Sequence, residues 1–315
     1  MKNQLPAIPM PPLGEPTAAE IGCDECGQIS NRDCLLDVTR KRIRVATLTS
    51  DDAHHHYLLS RLASSFDVVA AFIEPAAEQR KALLARGLWR PWFWSAAHSA
   101  RRGIMGLDRY RRRYFEYTPV EPPVLPRVVR SINDSDVNDV LRQVNPDVVI
   151  VMGTSIIRHL PPQPAINIHG GFLPYYRGNN CIFFAMLNGD FDHVGSTLHF
   201  VDNGIDTGAV IEVVAPPVSP IDTPELAYCR AEREAIERLV YWLSVLQSGE
   251  QLPRRAAGGP GNLSRTRDRK LRHEVAFWWR WAIRRWREYT KVVSGGSAIL
   301  KKHNLCRYIQ RRETK

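Results

Sequence analysis

The feature that most constrains the fold is a continuous β-branched run, VVIV, at residues 148–151. A strand that is apolar on both faces must be covered on both sides, as in the parallel sheets of α/β proteins. Residues 137–144, just before it, are apolar at helical spacing, and Asn145-Pro146 ends that helix. The pattern predicts a helix that leads into a central parallel strand.

Other segments repeat this alternation of strand and helix. Thr49, Ser50 and Asp51 supply cap residues for a helix between the first two predicted strands. Strands are predicted at residues 43–48, 66–73, 165–168, 196–201 and 209–214, and helices at 54–63, 181–187 and 224–248. We therefore expect an α/β fold with a Rossmann-like open, mostly parallel sheet, helices on both faces and a basic helical C-terminal tail.

Composition divides the chain into three parts. Residues 1–40 are proline-rich and predict an irregular arm, residues 41–250 carry the strand and helix pattern, and residues 251–315 form a glycine-containing linker and a basic helical tail. A basic, aromatic and helical insertion at residues 76–117 interrupts the middle part, and a proline-rich connector follows at 119–126. In that insertion we favour packing of the aromatic side chains and solvation of the arginines, and binding of a phosphate-bearing substrate or a membrane surface stays open as the alternative.

Positive charge is concentrated in the tail. The formal charge of the chain is +10, whereas residues 254–315 contain 18 Lys and Arg against 4 Asp and Glu, a net of +14, so the remainder sums to 10 − 14 = −4. Residues 273–291 combine tryptophan with arginine, which is typical of a helix in a membrane interface but also of base stacking. Three partners stay open: a membrane surface or lipid carrier, nucleic acid, and a second copy of this chain in a homodimer.

The apolar runs and the cysteines indicate the compartment. No apolar run approaches the roughly 20 residues that cross a bilayer, and residues 1–13 lack the basic start and apolar middle of a secretory signal. We expect a cytoplasmic protein with peripheral membrane contact as a further option. Its six cysteines should be free thiols, although Cys23, Cys26 and Cys34 are spaced like the start of a zinc site that lacks a second pair.

The polar groups of a candidate site are concentrated in residues 165–210. Asn167 and His169 lie at the end of a predicted strand, and Asp206 lies in a glycine-containing loop after the next strand. Asparagine offers an uncharged amide donor, histidine titrates nearest to neutrality, and aspartate can orient a histidine and accept a proton. These side chains at strand ends predict an active site for acyl transfer.

The order and spacing of these residues resemble the folate-dependent formyltransferase family, which includes glycinamide ribonucleotide, methionyl-tRNA and sugar amine formyltransferases. The resemblance rests on the Asn167-x-His169 element, the turn ending at residues 173–174 and the loop at residues 199–206, and it covers roughly residues 42–215. The family implies 10-formyltetrahydrofolate as the co-substrate and no metal.

The resemblance also implies a role for each residue of the centre. Asn167 and His169, the latter preferably as imidazolium, would donate hydrogen bonds to a tetrahedral oxyanion. Asp206 would raise the pKa of the histidine and move a proton from the attacking amine to the leaving folate nitrogen.

Ligand contacts follow from the same resemblance. The expected cofactor-binding residues are Met152, Gly153, Thr154, Ser155, Asp202, Gly204 and Ile205, and the expected substrate-binding residues are Gly170, Gly171, Tyr176 and Arg177. Gly170 and Gly171 depart from the family, because many members have Pro-Ser or Thr-Ser after the histidine.

The acceptor is expected to be the primary amine of a nucleotide- or carrier-linked amino sugar, because the arm, the insertion and the tail differ from the compact glycinamide ribonucleotide enzymes. Glycinamide ribonucleotide and methionyl-tRNA stay open as acceptors, although the tail shows no strand alternation like the β-barrel of the methionyl-tRNA members. Transfer of the formyl group to water also stays open.

Two other classes of function remain. One is a metal-dependent hydrolase that uses the histidines at 54–56 with His169 and Asp206, and the other is a nucleic-acid-binding adaptor. Adjacent helix residues point about 100° apart, so three in a row cannot share one ion. We expect one or two of these histidines to line the cleft and the rest to be solvated.

Overall fold

The computed structural model of the 315-residue chain describes residues 42–116, 124–259 and 261–310, with the side chains of the last helix described through residue 291. The predicted arm at residues 1–40, with its three cysteines, and most of the proline-rich connector lie outside the described residues. The segment from residue 42 onward is described below.

A seven-stranded sheet forms the centre of the fold. The strands found in the described ranges are β1 (Arg44–Thr49), β2 (Asp67–Ile73), β3 (Arg127–Val128), β4 (Val148–Met152), β5 (Ala165–His169), β6 (Tyr176–Gly178), β7 (Ser196–Phe200), β8 (Val210–Val214) and β9 (Asn262–Ser264). The sheet order is β3-β2-β1-β4-β5-β7-β8, in which β3 to β5 run parallel and β7 is antiparallel to both neighbours. Strands β6 and β9 pair separately, in parallel.

Helices cover both faces of this sheet. They are α1 (Ala53–Ser65), α2 (Ala76–Ala85), α3 (Trp89–Ile104), α4 (Leu107–Tyr114), α5 (Ser135–Val144), α6 (Cys181–Asn188), α7 (Pro224–Gln247) and α8 (Leu271–Gln310). Val148, Ile150 and Met152 of β4 pack in a core with residues of α1 and α7, whereas Val149 and Val151 pack in a second core with α5. The alternation of side chains along a strand therefore explains the continuous apolar run. The predicted fold class is confirmed.

The site lies where the parallel strands end. Strand β4 ends at Met152 and β5 at His169, and Val151 pairs with Asn167 across the two strands. The loops that follow these strands therefore open at the same edge of the sheet, as ligand-binding loops do in open α/β sheets. Helix α1 begins beside this edge, with Asp52 at its N-cap.

The start of the tail packs on the sheet domain. Strand β9 pairs with β6, and Phe277 of α8 is fully buried in a cluster with Phe183 of α6 and with Ala227 and Ala231 of α7. None of the helices in the described ranges has the length and apolar character needed to cross a membrane.

Candidate active site

Asn167, His169 and Asp206 meet at the end of β5. His169 Nδ1 lies 3.5 Å from Asp206 Oδ2, and Asp206 Oδ1 lies 3.6 Å from His199 Nε2. The Asn167 amide nitrogen lies 3.1 Å from the same His199 nitrogen. The three predicted residues are thus brought together, and His199 joins Asn167 to Asp206.

The strand register explains this arrangement. Asn167 and His199 are direct partners in the antiparallel β5–β7 pair, so their side chains point to the same face. Asp206 adopts a left-handed backbone conformation, with φ of 52°, in the loop after β7. Its carboxylate accepts a hydrogen bond of 2.9 Å from the Gly178 amide, which fixes it beside the histidines.

Burial, more than the aspartate, sets the charge of the central histidine. The His169 side chain is nearly inaccessible, and this burial lowers its pKa below the usual value, while Asp206 opposes the shift only in part. Burial also raises the pKa of Asp206, but His169, His199 and the Gly178 amide together bring it down to about 2. Asp206 does raise the pKa of His169, as the resemblance implies, but desolvation of the buried ring outweighs it, so the net shift is away from the imidazolium form.

Both ring nitrogens of His169 face polar groups of the protein. Its Nε2 lies 3.1 Å from the Tyr176 carbonyl oxygen and 3.8 Å from Cys181 Sγ. Donation from Nε2–H to that carbonyl leaves Nδ1 of the neutral ring facing Asp206, free to accept a proton.

A cavity of about 740 Å³ opens over this centre. That volume lies within the range typical of small-molecule sites. All seven predicted cofactor-binding residues line the cavity: Met152, Gly153, Thr154, Ser155, Asp202, Gly204 and Ile205.

The loop after β4 is fixed by a buried carboxylate. Glu74 accepts hydrogen bonds from the backbone amide of Ser155 at 2.8 Å and from its hydroxyl at 3.0 Å. Gly153 has a φ of 69°, and a Cβ atom there would come within 2.4 Å of His55 Nε2. Any larger residue would be strained and would collide with the histidine, so glycine is required on both counts.

The loop after β7 is fixed by its own aspartate. Asp202 accepts hydrogen bonds from the Gly204 amide at 3.1 Å and from the Thr207 hydroxyl at 2.7 Å. The Ile205 carbonyl accepts a hydrogen bond from the Arg177 guanidinium. The carboxylate of Asp202 is therefore engaged in shaping the loop.

The residues predicted to bind substrate divide into two groups. Gly170 lines the cavity, whereas Gly171, Tyr176 and Arg177 are not among its lining residues. Gly171 lies directly against the imidazole of His169, the Tyr176 hydroxyl donates to Asp190, and Arg177 is turned toward the loop after β7. These three residues support the site from behind, and the cavity lining gives no support to direct substrate contact.

The glycine at position 170 makes room for a buried carboxyl group. A Cβ atom on Gly170 would lie 2.7 Å from Glu232 Oε1, so only glycine allows helix α7 to bring this side chain so close. Burial raises the pKa of Glu232 to about 7, although the Ser196 hydroxyl and Arg111 oppose the shift. Glu232, which no local sequence pattern indicated, therefore adds a titratable group to the cavity wall beside Gly170.

Two arginines of the insertion reach the same cavity. Arg102 contacts both carboxylate oxygens of Asp52, at 2.6 and 2.9 Å, and Arg111 bridges Asp52 to Glu225. Arg111 also lies over the ring of Tyr228, 4.4 Å from its centroid. The expectation that arginines of the insertion face solvent is wrong for this pair, because the carboxylates at the starts of α1 and α7 compensate their desolvation.

The adjacent histidines behave as predicted. His54 and His55 are buried and line the cavity, whereas His56 is exposed. His54 Nε2 lies 3.2 Å from the Tyr228 hydroxyl, and burial lowers the pKa of His55 to about 4. Over the described ranges, no group of three or more histidine, cysteine or acidic side chains is arranged to hold a metal ion.

Fold and site together define a class. An open α/β sheet carries an amide, a buried imidazole of lowered pKa and an ionised carboxylate at its strand ends, beside a cavity of about 740 Å³. These groups can donate a hydrogen bond, accept a proton and stabilise the charge that results, which suits acid–base chemistry on a bound small molecule.

Known formyltransferases are similar to this chain. A family model described as formyl transferase matches residues 106–242. The methionyl-tRNA formyltransferase of Burkholderia cenocepacia is 30% identical over 169 residues, which are 52% of this chain and 50% of that protein. The corresponding enzyme of Desulforamulus reducens is 29% identical over 122 residues, 37% of this chain and 38% of that protein. These matches confirm the predicted resemblance to the formyltransferase family over the matched part of the chain.

The extent of these similarities is limited. The chain spans half or less of the length of these two curated relatives. Among solved structures, a sugar N-formyltransferase from a Shewanella species is similar with a TM-score of 0.50 at 16% identity, over 75% of this chain and 86% of that one. At that identity the similarity shows the shared fold.

Proposed function

We propose that this chain is an N-formyltransferase that moves the formyl group of 10-formyltetrahydrofolate to the primary amine of an amino sugar linked to a nucleotide or lipid carrier. The observation that carries the proposal is the convergence of Asn167, His169 and Asp206 on one cavity at the end of β5. The match of residues 106–242 to the formyl transferase family model supports the chemistry.

The formyl donor would lie against two glycine-containing loops. The backbone groups of residues 152–155 can hydrogen-bond a flat heterocycle, and Glu74 holds that loop in place. Residues 202–205 form the facing wall, with their own aspartate fixing the turn. Loops fixed in this way lose little conformational freedom when a ligand binds.

The reaction needs a nucleophile, a hydrogen-bond donor and a proton carrier. The unprotonated amine attacks the formyl carbon, a C–N bond forms, and the carbonyl electron pair moves to oxygen. Asn167 would donate its amide hydrogens to that oxyanion, since a well-placed donor contributes roughly 3–4 kcal/mol in the transition state. The amine then loses a proton, the bond to folate N10 breaks, and N10 takes up the proton.

His169 is suited to carry that proton. Its burial keeps the ring neutral at rest, so Nδ1 can accept the proton that the attacking nitrogen loses. Asp206, whose carboxylate oxygen lies 3.5 Å from Nδ1, would stabilise the imidazolium that forms. The same imidazolium can return the proton to the leaving folate nitrogen, directly or through a water molecule.

The polar wall of the cavity favours a hydroxyl-rich acceptor. Asp52 and Glu225 neutralise Arg102 and Arg111, so this wall presents hydrogen-bonding groups with little net charge. Tyr228 and Glu232 on α7 add a phenol and a carboxyl group beside the formyl site. Such groups can hydrogen-bond the hydroxyls of the sugar part of the acceptor.

Methionyl-tRNA is the second candidate acceptor. The relatives compared by sequence are methionyl-tRNA formyltransferases, and the C-terminal part of this chain is strongly basic. The phosphate backbone of a tRNA acceptor would bind these basic residues. The rate of methionyl-tRNA formylation should therefore fall steeply as the salt concentration rises.

The test is formyl transfer by the purified protein. The protein is incubated with 10-formyltetrahydrofolate and, separately, with a panel of amino-sugar nucleotides, glycinamide ribonucleotide and methionyl-tRNA, and tetrahydrofolate release and product mass are measured. We expect formylation of an amino-sugar nucleotide. Formylation of methionyl-tRNA alone would replace the acceptor and retain the chemistry, whereas tetrahydrofolate release without any acceptor would indicate transfer to water.

A further inference from the structure

Over residues 271–291, whose side chains are described, helix α8 packs on the domain through one face. On that face Phe277 is fully buried, the Trp281 indole donates to the Ile221 carbonyl at 2.8 Å, and Arg284 donates to the Pro220 carbonyl at 2.9 Å. These contacts fix the rotation of the helix about its axis. They also determine which residues point away from the domain.

The opposite face is an exposed apolar stripe, called here the α8 stripe. Its members recur every three or four residues and are Leu271, Val275, Trp279, Ala282, Trp286 and Tyr289. The side chains of Trp279 and Trp286 are 69% and 66% exposed. Eighteen residues separate the first member from the last, so the stripe is about 27 Å long. A continuous exposed surface of this kind marks a binding site for an apolar partner.

Cations lie along both edges of the stripe. Arg272 and Arg287 flank it on one side and Arg285 on the other, and all three are exposed. Within the described part of the chain, none of the three has a carboxylate at salt-bridge distance. Residues 271–291 contain six Lys and Arg against two Asp and Glu, a net charge of +4. The surface is therefore apolar at its centre and basic at its edges.

We propose that the α8 stripe binds the surface of an anionic phospholipid bilayer, with the helix lying in the plane of the membrane. Tryptophan and tyrosine suit the boundary between headgroups and acyl chains, and flanking arginines attract anionic headgroups. This binding is independent of formyl transfer and needs no folate.

Charge and shape argue against two other occupants. A second copy of this chain would bring the +4 surface against another +4 surface, so self-association is opposed by like charge. Single-stranded nucleic acid would use the aromatic rings and the arginines, but the aliphatic members Leu271 and Val275 add nothing to base stacking. A bilayer can contact every apolar member of the α8 stripe, and its anionic headgroups can bind the flanking arginines at the same time.

The experiment is flotation of the full chain with phosphatidylcholine vesicles that do or do not contain phosphatidylglycerol. We expect binding to the anionic vesicles, weaker binding as salt is added, and a blue shift of tryptophan emission on binding. The double variant Trp279→Ser with Trp286→Ser should bind at least about tenfold more weakly, because both side chains lie at the centre of the stripe.

A matched control is an exposed aromatic residue elsewhere on the surface. Tyr241 lies 17 residues along α7 from Pro224, about 25 Å from the end of that helix that contacts α8, so Tyr241→Ser should bind vesicles like the wild type. If the double tryptophan variant does not fold, Arg285→Glu with Arg287→Glu tests the same surface, and the charge reversal should abolish binding to anionic vesicles.

Three outcomes would overturn the proposal. The first is no binding to anionic vesicles, and the second is equal binding by wild type and both stripe variants. The third is a dimer in sedimentation velocity, or a complex with tRNA, that the tryptophan variant loses while vesicle binding is unchanged. Each can be recognised whether or not the protein transfers formyl groups.

Discussion

At the scale of single residues, burial decides the chemistry of the central pair. His169 is neutral at rest because its ring is desolvated, whereas Asp206 stays ionised because two histidines and a backbone amide face it. A neutral base beside an ionised carboxylate can take a proton and hold it briefly. The folded structure therefore holds His169 and Asp206 in the protonation states that proton transfer requires.

Replacement of that carboxylate tests the pair directly. Asp206→Asn keeps an oxygen acceptor for the Gly178 amide, so the fold should persist, but the charge that stabilises a protonated His169 is lost. We expect the turnover number for formyl transfer to fall at least about a hundredfold with little change in folate affinity. The exposed Asp192→Asn is the control and should keep wild-type turnover. Near-normal turnover of the Asp206 variant would remove this residue from the mechanism.

Glu232 predicts a pH dependence of stability. The pKa of Glu232 is about 7 in the folded protein against 4.5 for an exposed glutamate, so between these pH values the folded state binds more protons than the unfolded state. The stability that this group contributes is therefore complete below about pH 4.5 and is lost as the pH rises through about 7. The shift corresponds to about 3 kcal/mol.

The measurement is urea denaturation of wild type and Glu232→Gln across that range. The glutamine cannot ionise, so between about pH 4.5 and pH 8 the variant should gain about 3 kcal/mol of unfolding free energy relative to wild type. Exposed Glu250→Gln should leave the wild-type profile unchanged. Parallel profiles for wild type and Glu232→Gln would show that the carboxyl group is not buried as described.

Residue types and spacing predicted the centre but not its surroundings. Asn167, His169 and Asp206 stand in a short stretch with a characteristic order, which made them recognisable. Glu232 is brought beside Gly170 by the packing of α7, and His199 is placed opposite Asn167 by strand register. Neither tertiary packing nor register is encoded in a local pattern. The sequence therefore gave no indication of Glu232, and the loop at residues 199–206 was recognised without showing that His199 lies opposite Asn167.

At the scale of elements, the insertion and the tail contribute more to the domain than their composition suggested. Arg102 of α3 and Arg111 of α4 line the cavity and bind Asp52. Phe277 of α8 is part of a buried core cluster. Helical periodicity identified the amphipathic elements, but it did not show which face meets which partner. An arginine near a buried carboxylate and one on an open surface have the same local sequence signal.

Phe277 predicts that the beginning of the tail stabilises the fold. Because its ring is fully buried against Phe183, Phe277→Ala should lower the free energy of unfolding by about 3–5 kcal/mol in urea denaturation. On the other face of the same helix, Trp279→Ala should change it by no more than about 0.5 kcal/mol. Equal effects of the two variants would mean that α8 does not pack on the domain in this orientation.

At the scale of the whole molecule, the parallel sheet, the cavity and the match to the formyl transferase family model agree with the proposed function. The loops after β4 and β7, where we propose that the formyl donor binds, and the helices α1, α4 and α7, where we propose that the acceptor binds, all line the cavity. A domain of this kind should bind the formyl donor without an acceptor present, because the donor loops are already held by Glu74 and Asp202.

Calorimetric titration of 5-formyltetrahydrofolate, a stable analogue of the donor, into the purified full chain examines this claim. We predict saturable binding with one site per chain, retained in Asp206→Asn and weakened in Gly153→Ala, whose Cβ atom would collide with His55 in the donor loop. Saturable binding with this pattern would support a folate site over the Asn167, His169 and Asp206 centre. Absence of binding by the wild type, or equal binding by the Gly153 variant, would contradict it.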